Sequence, residues 1–410
     1  MAKVVVAGTF DSKTEPLGLL VDLLRARGED PVTIDTSVFE HDYKTTWSSA
    51  AVAEAAGKDH ATLAARGRSE AISVMSEGAA IILRRLVDMK GVSALVGLGG
   101  SNAATIFARL ARELPIGIPK ILMSTSVVGD NRGIVGGSDA VLLYPVVDID
   151  GSNAILDRMV ERLADTAVAL KSEPLSTETR GKKRIGLSMY GVTTPCVHAI
   201  ATDLRKAGME PLIFHANGPG GRSLEAFAAE GLVDAVVDAT LAELGNELLG
   251  GGFPAGPDRL TGATRAGIPQ IVAPGAIDMI AFGPRNTVPE RFEDHVIHAH
   301  NALVTLVRTT QAECHAIGVR LAERMGTPAG SATLCIPLGG TSMLDKPGGV
   351  FCNPEAVAAF SAGFSSKADP TIRVVTSKAN INDPEFASLM VAELNEILNS
   401  DGPVRAGATG

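Results

Sequence analysis

The sequence predicts an α/β protein made of two doubly wound, Rossmann-like subdomains with mostly parallel sheets. Three observations carry that expectation. Short continuous apolar runs end in turns and are followed by apolar residues at helical spacing, the pattern of strands buried on both faces in a β-loop-α series. Hydrophobic residues make up 45% of the 410 residues while aromatics make up 4%, and there are 44 glycines, which suits closely packed α/β layers better than a β-sandwich. The series also runs twice. Arg184–Met189, the turn YGVTTP, a helix from Pro195 to Lys206, Gly208 and a strand Pro211–His215 repeat the order of Lys3–Gly8, TFDSKTEP, a helix, Gly28 and Pro31–Asp35 at an offset of about 180 residues. GIPQIVAPGA at 267–276 likewise repeats GIPKILMSTS at 117–126. The reading is an internal duplication, with a first subdomain over 1–175, a second over 183–400, and a linker at Lys171–Lys183, where charge replaces any apolar period.

In the first half, Lys3–Ala7 is a strand, and Leu17, Leu20, Leu23 and Leu24 give the next helix its apolar face until Gly28 stops it. Pro31–Asp35 is the second strand. Asp35 at its carboxyl end either meets a ribose hydroxyl or caps the next turn. Residues 39–65 are polar, include Trp47, and read as a lid or interface insertion before a long helix Arg66–Met89. The centre of the half is VSALVGLGGSNAATI at 92–106, a buried strand, a tight turn and a helix start. Gly99 and Gly100 allow a ligand close to the backbone, Ser101 is placed to cap the helix, and the amide hydrogens there suit a phosphate. A plain strand-to-helix turn is the alternative. Neither the third glycine of a dinucleotide fingerprint nor a GxxxxGK[ST] loop is present. The strand ending at Ser124-Thr125-Ser126 brings hydroxyls to the same carboxyl edge as Thr9 and Gly99.

In the second half, HANGPGGRSLEAF follows strand Pro211–His215. Gly220, Gly221 and Arg222 at this helix start read as a second anion cradle for a carboxylate or phosphate, with His215 or Glu225 available for proton transfer. His215 is expected on a central strand. Asp238, Glu243, Asp278 and the loop LGGTSMLDKPGG with Thr341 and Ser342 add ionisable and hydroxyl groups near strand ends. The candidate catalytic set is therefore His215, Glu225 and Asp278, and the candidate substrate-binding set Gly220, Gly221, Arg222, Thr341 and Ser342. His298 and His300 alternate along the chain and have no third ligand in view, so no metal site is expected. Cys196 at a helix start is either an activated thiolate or a buried inert thiol. No GxSxG elbow surrounds Ser188 or Ser342, which disfavours a serine hydrolase.

A net charge of −9 argues against a nucleic-acid binder. The 4 cysteines lack zinc-type spacing, no signal-like segment opens the chain, and no apolar run has membrane-span length, so a reduced, cytoplasmic protein is expected.

The motifs AGTFDSK, GLGGS, YPVVDI, MYGVTTPCV, FHANGPGGR, GGFPAGPDRL, GIPQIVAPGAIDM, LDKPGGVFCNPEA and INDPEFA together resemble the UPF0261 family, the Tm-1-like ATP-binding proteins, over essentially the whole chain to Leu398. The resemblance implies two Rossmann-like subdomains, a homodimer, and ATP, with or without Mg2+, in the first subdomain. By match to the family motifs it implies a nucleotide site at Thr9, Phe10, Asp11, Thr36, Gly99, Gly100, Ser101 and Thr125. The glycine turn reads GGSNAA here where the family usually has GGSGGT. In a plant relative this region restrains tobamovirus replication and is fused to a TIM-barrel domain, so a separate TIM-barrel protein is an expected partner, while the antiviral role is not carried over. Two functions follow: an enzyme acting on a small acidic metabolite in the second subdomain or the inter-domain crevice, or a nucleotide-responsive binding protein without turnover.

Overall fold

Alternation within strand Lys3–Gly8 sets the layers of the N-terminal half. Val4 and Val6 pack with Leu17, Leu20, Leu24, Leu156 and Leu163 on one face. Val5 and Ala7 face the other way, into a cluster with Met75, Leu83, Phe107 and Leu110. The computed structural model describes residues 2–172 and 181–400, so the expected linker falls largely, and the tail after Ser400 wholly, outside the described residues. The chain divides into two compact units, Met1–Ser176 and Thr177–Gly410.

Among the described residues, the first unit has five strands: β1 (Lys3–Gly8), β2 (Val32–Asp35), β3 (Val92–Gly99), β4 (Lys120–Ser124) and β5 (Ala140–Leu143). They form one parallel sheet in the order β2-β1-β3-β4-β5. β3 is buried along its whole length, as a strand covered by helices on both faces must be. The winding reverses between β1 and β3, and a crevice opens at the carboxyl ends of strands at such a reversal. Residues 39–65 are not a free lid. Trp47 bridges Ile34, with its amide on Thr33 O and its carbonyl accepting Asp35 N at 2.9 and 3.0 Å, so the insertion covers the outer edge of β2.

Among the described residues, the second unit has nine strands: β6 (Arg184–Met189), β7 (Glu210–His215), β8 (Ala235–Asp238), β9 (Gln270–Val272), β10 (Met279–Phe282), β11 (Ile297–Asn301), β12 (Val304–Arg308), β13 (Ala332–Pro337) and β14 (Arg373–Ser377). Six form a parallel sheet in the order β14-β13-β9-β8-β6-β7, which is the winding of the first unit with one strand added. Its reversal lies between β6 and β8. One consequence corrects the sequence reading. β7 is an edge strand, so His215 is exposed at the margin rather than at the centre of the sheet. The His-rich run is β11, the outer strand of a separate antiparallel sheet ordered β10-β12-β11. Among the described residues, no helix is long and apolar enough to cross a membrane.

Candidate functional site

Because every strand of the first sheet is parallel, Thr9, Thr36, Gly99–Ser101 and Thr125 follow the carboxyl ends of β1, β2, β3 and β4 on one edge. The turn after β3 is tight and leads into a helix start that no side chain caps. Gly99 holds φ +147, and a Cβ there would meet the Ala103 methyl at 2.7 Å. The helix Ser101–Ala111 starts with Gly100 as N-cap and no capping side chain, which corrects the expected Ser101 cap: Ser101 is the exposed first helical residue. Gly100 itself has φ −84, a conformation open to any residue, and space around its missing Cβ, with Thr125 Oγ1 nearest at 4.0 Å. The Thr36 hydroxyl is buried without a hydrogen-bond partner, a costly state that a ligand or water donor would relieve.

Three expected residues of this edge are engaged within the protein. Phe10 is fully buried and stacks on Tyr43 at 4.9 Å, so its ring is committed to the core. Asp11 Oδ2 accepts the amides of Val38 and Phe39, both at 3.1 Å. Asp35 accepts Ser37 N at 3.0 Å and pairs with His41 Nε2 at 2.8 Å, which decides for the turn-capping role. Sequence reasoning missed Arg68. With the Asn102 amide turned so that donors meet acceptors, Asn102 Oδ1 accepts Arg68 Nε at 3.1 Å and Nη2 at 3.0 Å. This brings a guanidinium to the first turn of the helix, beside a groove of about 720 Å³ that Arg109, Thr105 and Ser73 also line.

In the second unit the expected anion cradle is filled from within. Glu243 Oε1 accepts Gly218 N at 2.6 Å and Gly221 N at 3.0 Å. Its Oε2 accepts Arg259 Nε at 2.7 Å. Arg259 is 1% exposed; its Nη2 meets Asp238 Oδ1 at 2.8 Å and its Nη1 reaches Asp238 Oδ2 and, at 3.1 Å, Glu225 Oε1. Glu225 also accepts Leu260 N and Gly262 N, both at 2.6 Å, and so clamps the turn in which Leu260 has φ +71. Burial pushes the carboxyls of Glu225 and Glu243 up, against the pull of Arg259. Arg222 is tied to the backbone of the 253–256 segment: Nε donates to Ala255 O at 2.8 Å and Nη2 to Pro254 O at 3.2 Å. The winding reversal between β6 and β8 is closed by the same network, since Ser188 Oγ donates to Asp238 Oδ1 at 2.5 Å. Arg259 lies in the quoted motif GGFPAGPDRL, and an arginine 21 residues beyond Asp238 carries no spacing signal for the pair.

The structure brings Asp278, Thr341 and Ser342 together. Thr341 Oγ1 lies 3.0 Å from Asp278 Oδ1 and Ser342 Oγ donates to Oδ2 at 2.7 Å, with all three side chains at most 1% exposed. Burial and then the Asp345 charge push Asp278 up to about 6. His215 stands apart, stacked on Tyr190 at 5.9 Å. Cys196 is buried and its thiol is pushed up to about 12 by burial, which makes it the inert alternative. Among the described residues, no cluster of three His, Cys, Asp or Glu is placed to hold a metal ion.

Comparison with known proteins gives family-scale matches. Residues 2–174 match the N-terminal domain, and residues 182–398 the C-terminal domain, of Uncharacterised protein family (UPF0261). A UPF0261 protein of Clostridium tetani is 37% identical over 396 residues, covering 96% of this chain and 98% of that protein. One from Rhizobium meliloti is 36% identical, covering 97% of this chain and 100% of its own length. The ToMV resistance protein Tm-1(GCR237) of Solanum lycopersicum is 36% identical over 80% of this chain but only 45% of that protein.

Proposed function

The chain belongs to the UPF0261 family, and from that premise we propose that its N-terminal unit binds a purine nucleotide, ATP above others, at the carboxyl edge between β1 and β3. The observation that carries the reading is the uncapped helix start behind the Gly99-Gly100 turn, at the point where the winding reverses. The phosphates would take the amides of 100–102, Thr125 and Thr9 would add hydroxyl contacts, and Thr36 would spend its unpartnered hydroxyl on the ligand. Arg68 would supply positive charge, exchanging Asn102 for a phosphate oxygen. Magnesium would arrive with the phosphates. Phe10 and Asp11 would contribute backbone and loop position rather than side-chain contacts.

For the second unit, the cradle filled by Glu243 favours the binding protein without turnover over an enzyme for a small acidic metabolite at that place. A homodimer and a separate TIM-barrel partner remain part of the proposal, the latter because the tomato protein extends well beyond the matched part. The test is calorimetric titration with ATP, ADP and GTP, with and without magnesium, alongside assays for ADP, AMP and phosphate release. Saturable ATP binding without product supports the reading. No binding of any nucleotide overturns it, and turnover restores the enzyme reading.

A further inference from the structure

Thr341 Oγ1 lies 3.0 Å from Asp278 Oδ1 and 3.1 Å from Asp345 Oδ2. A hydroxyl has a single hydrogen. With both carboxylates ionised, one of these buried contacts has no proton in it. The other partners decide where a further proton sits. Asp345 accepts Thr341 N at 3.0 Å and Asn353 N at 3.1 Å and lies 3.7 Å from Arg308 Nη2, so its charge is compensated. Among the described residues, the Asp278 carboxylate hydrogen-bonds the hydroxyls of Thr341 and Ser342 alone. Ser342 Oγ accepts the amides of Leu344 and Asp345, which directs its own hydrogen to Asp278 Oδ2. A proton on Asp278 Oδ1 completes an unbroken chain: Asp278 donates to Thr341, and Thr341 donates to the Asp345 carboxylate.

We propose that this chain is a pH-operated latch, in which protonated Asp278 ties the glycine loop 338–349 to the start of β10 and loss of that proton loosens the loop. The titratable and charged groups facing Asp278 are Asp345 from the loop, Arg308 from β12 and Cys314 from the helix Gln311–Met325. Asn380 Nδ2 holds the carbonyls of Gly339, Ser342 and Asp345 at 3.0–3.2 Å whatever the pH, so the loop loosens locally and stays attached. Leu338 and Met343, 45% and 43% exposed, ride on the loop and are the apolar surface the latch repositions. With Asp278 raised from 3.8 to about 6, the extra stability is full below the unfolded value and is lost as pH rises through about 6.

Asp278→Asn is the sharp variant, because its amide donates to Thr341 and its carbonyl accepts Ser342, copying the protonated acid. The measurement is hydrogen-exchange protection of the 339–345 amides, corrected for intrinsic rates, from about pH 5 to 7.5. The native protein should lose roughly tenfold protection across that range, and the Asn variant should be flat at the acid-side level. Protection that is pH-independent in the native protein, or equally pH-dependent in the variant, overturns the latch. A carboxyl carbon titration of Asp278 in the native protein covers the case of a variant that does not fold: a midpoint near 6 supports the latch, and one near 4 or lower overturns it.

Discussion

Gly221 donates its amide to Glu243 Oε1 at 3.0 Å, and a Cβ at Gly221 would stand 2.0 Å from Oε2 of the same carboxylate. Glycine is required here by what the protein itself places at the helix start. Gly221→Ala should therefore lower stability by about 3 kcal/mol or more through overpacking of a buried ion pair, without changing nucleotide affinity. Thermal unfolding beside an ATP titration checks both halves.

Arg259 serves Asp238, Glu243 and Glu225 at once. Arg259→Met leaves those carboxylates buried without their cation and should cost about 3–5 kcal/mol at neutral pH. The cost should shrink on acidification, because Glu225 and Glu243 are already pushed up by burial and protonation removes their charge. Denaturant unfolding at several pH values measures it; a loss that does not vary with pH would mean the carboxylates are neutral throughout.

Thr36 has a buried hydroxyl without a protein partner. Thr36→Val removes it at nearly constant volume, so the free protein should be as stable or about 1 kcal/mol more stable, while ATP affinity should fall. A destabilised variant would show that the hydroxyl already has a structural partner such as water.

Much of the fold was legible because its signals are local. The apolar runs at Lys3–Gly8 and Val92–Gly99 and the repeated β-loop-α order mark buried parallel strands without knowledge of their neighbours. What composition and spacing did not carry is pairing across the chain. Nothing local marks Pro211–His215 as an edge strand, since edge status depends on which strand stops the sheet. The cradle at 218–222 has the glycines and the helix start of an anion site, but its anion comes from Glu243, 22 residues beyond Gly221, and is fixed there by Arg259. The grouping of Asp278 with Thr341 and Ser342 was legible as strand-end convergence. Their burial was not, because it depends on segments distant in sequence, such as Asp345, Asn380 and Arg308, closing around them.

The most direct measurement is ATP titration of the native protein and Gly100→Val, with thermal unfolding of both. Gly100 has φ −84 and open space at its Cβ, so valine is compatible with the fold while its branches fill the space in front of the 100–102 amides. Saturable binding by the native protein, and loss of at least tenfold in affinity by an equally stable Gly100→Val, is the expected result. A folded Gly100→Val that binds ATP as tightly as the native protein would contradict the account, because the nucleotide would then lie away from the turn after β3.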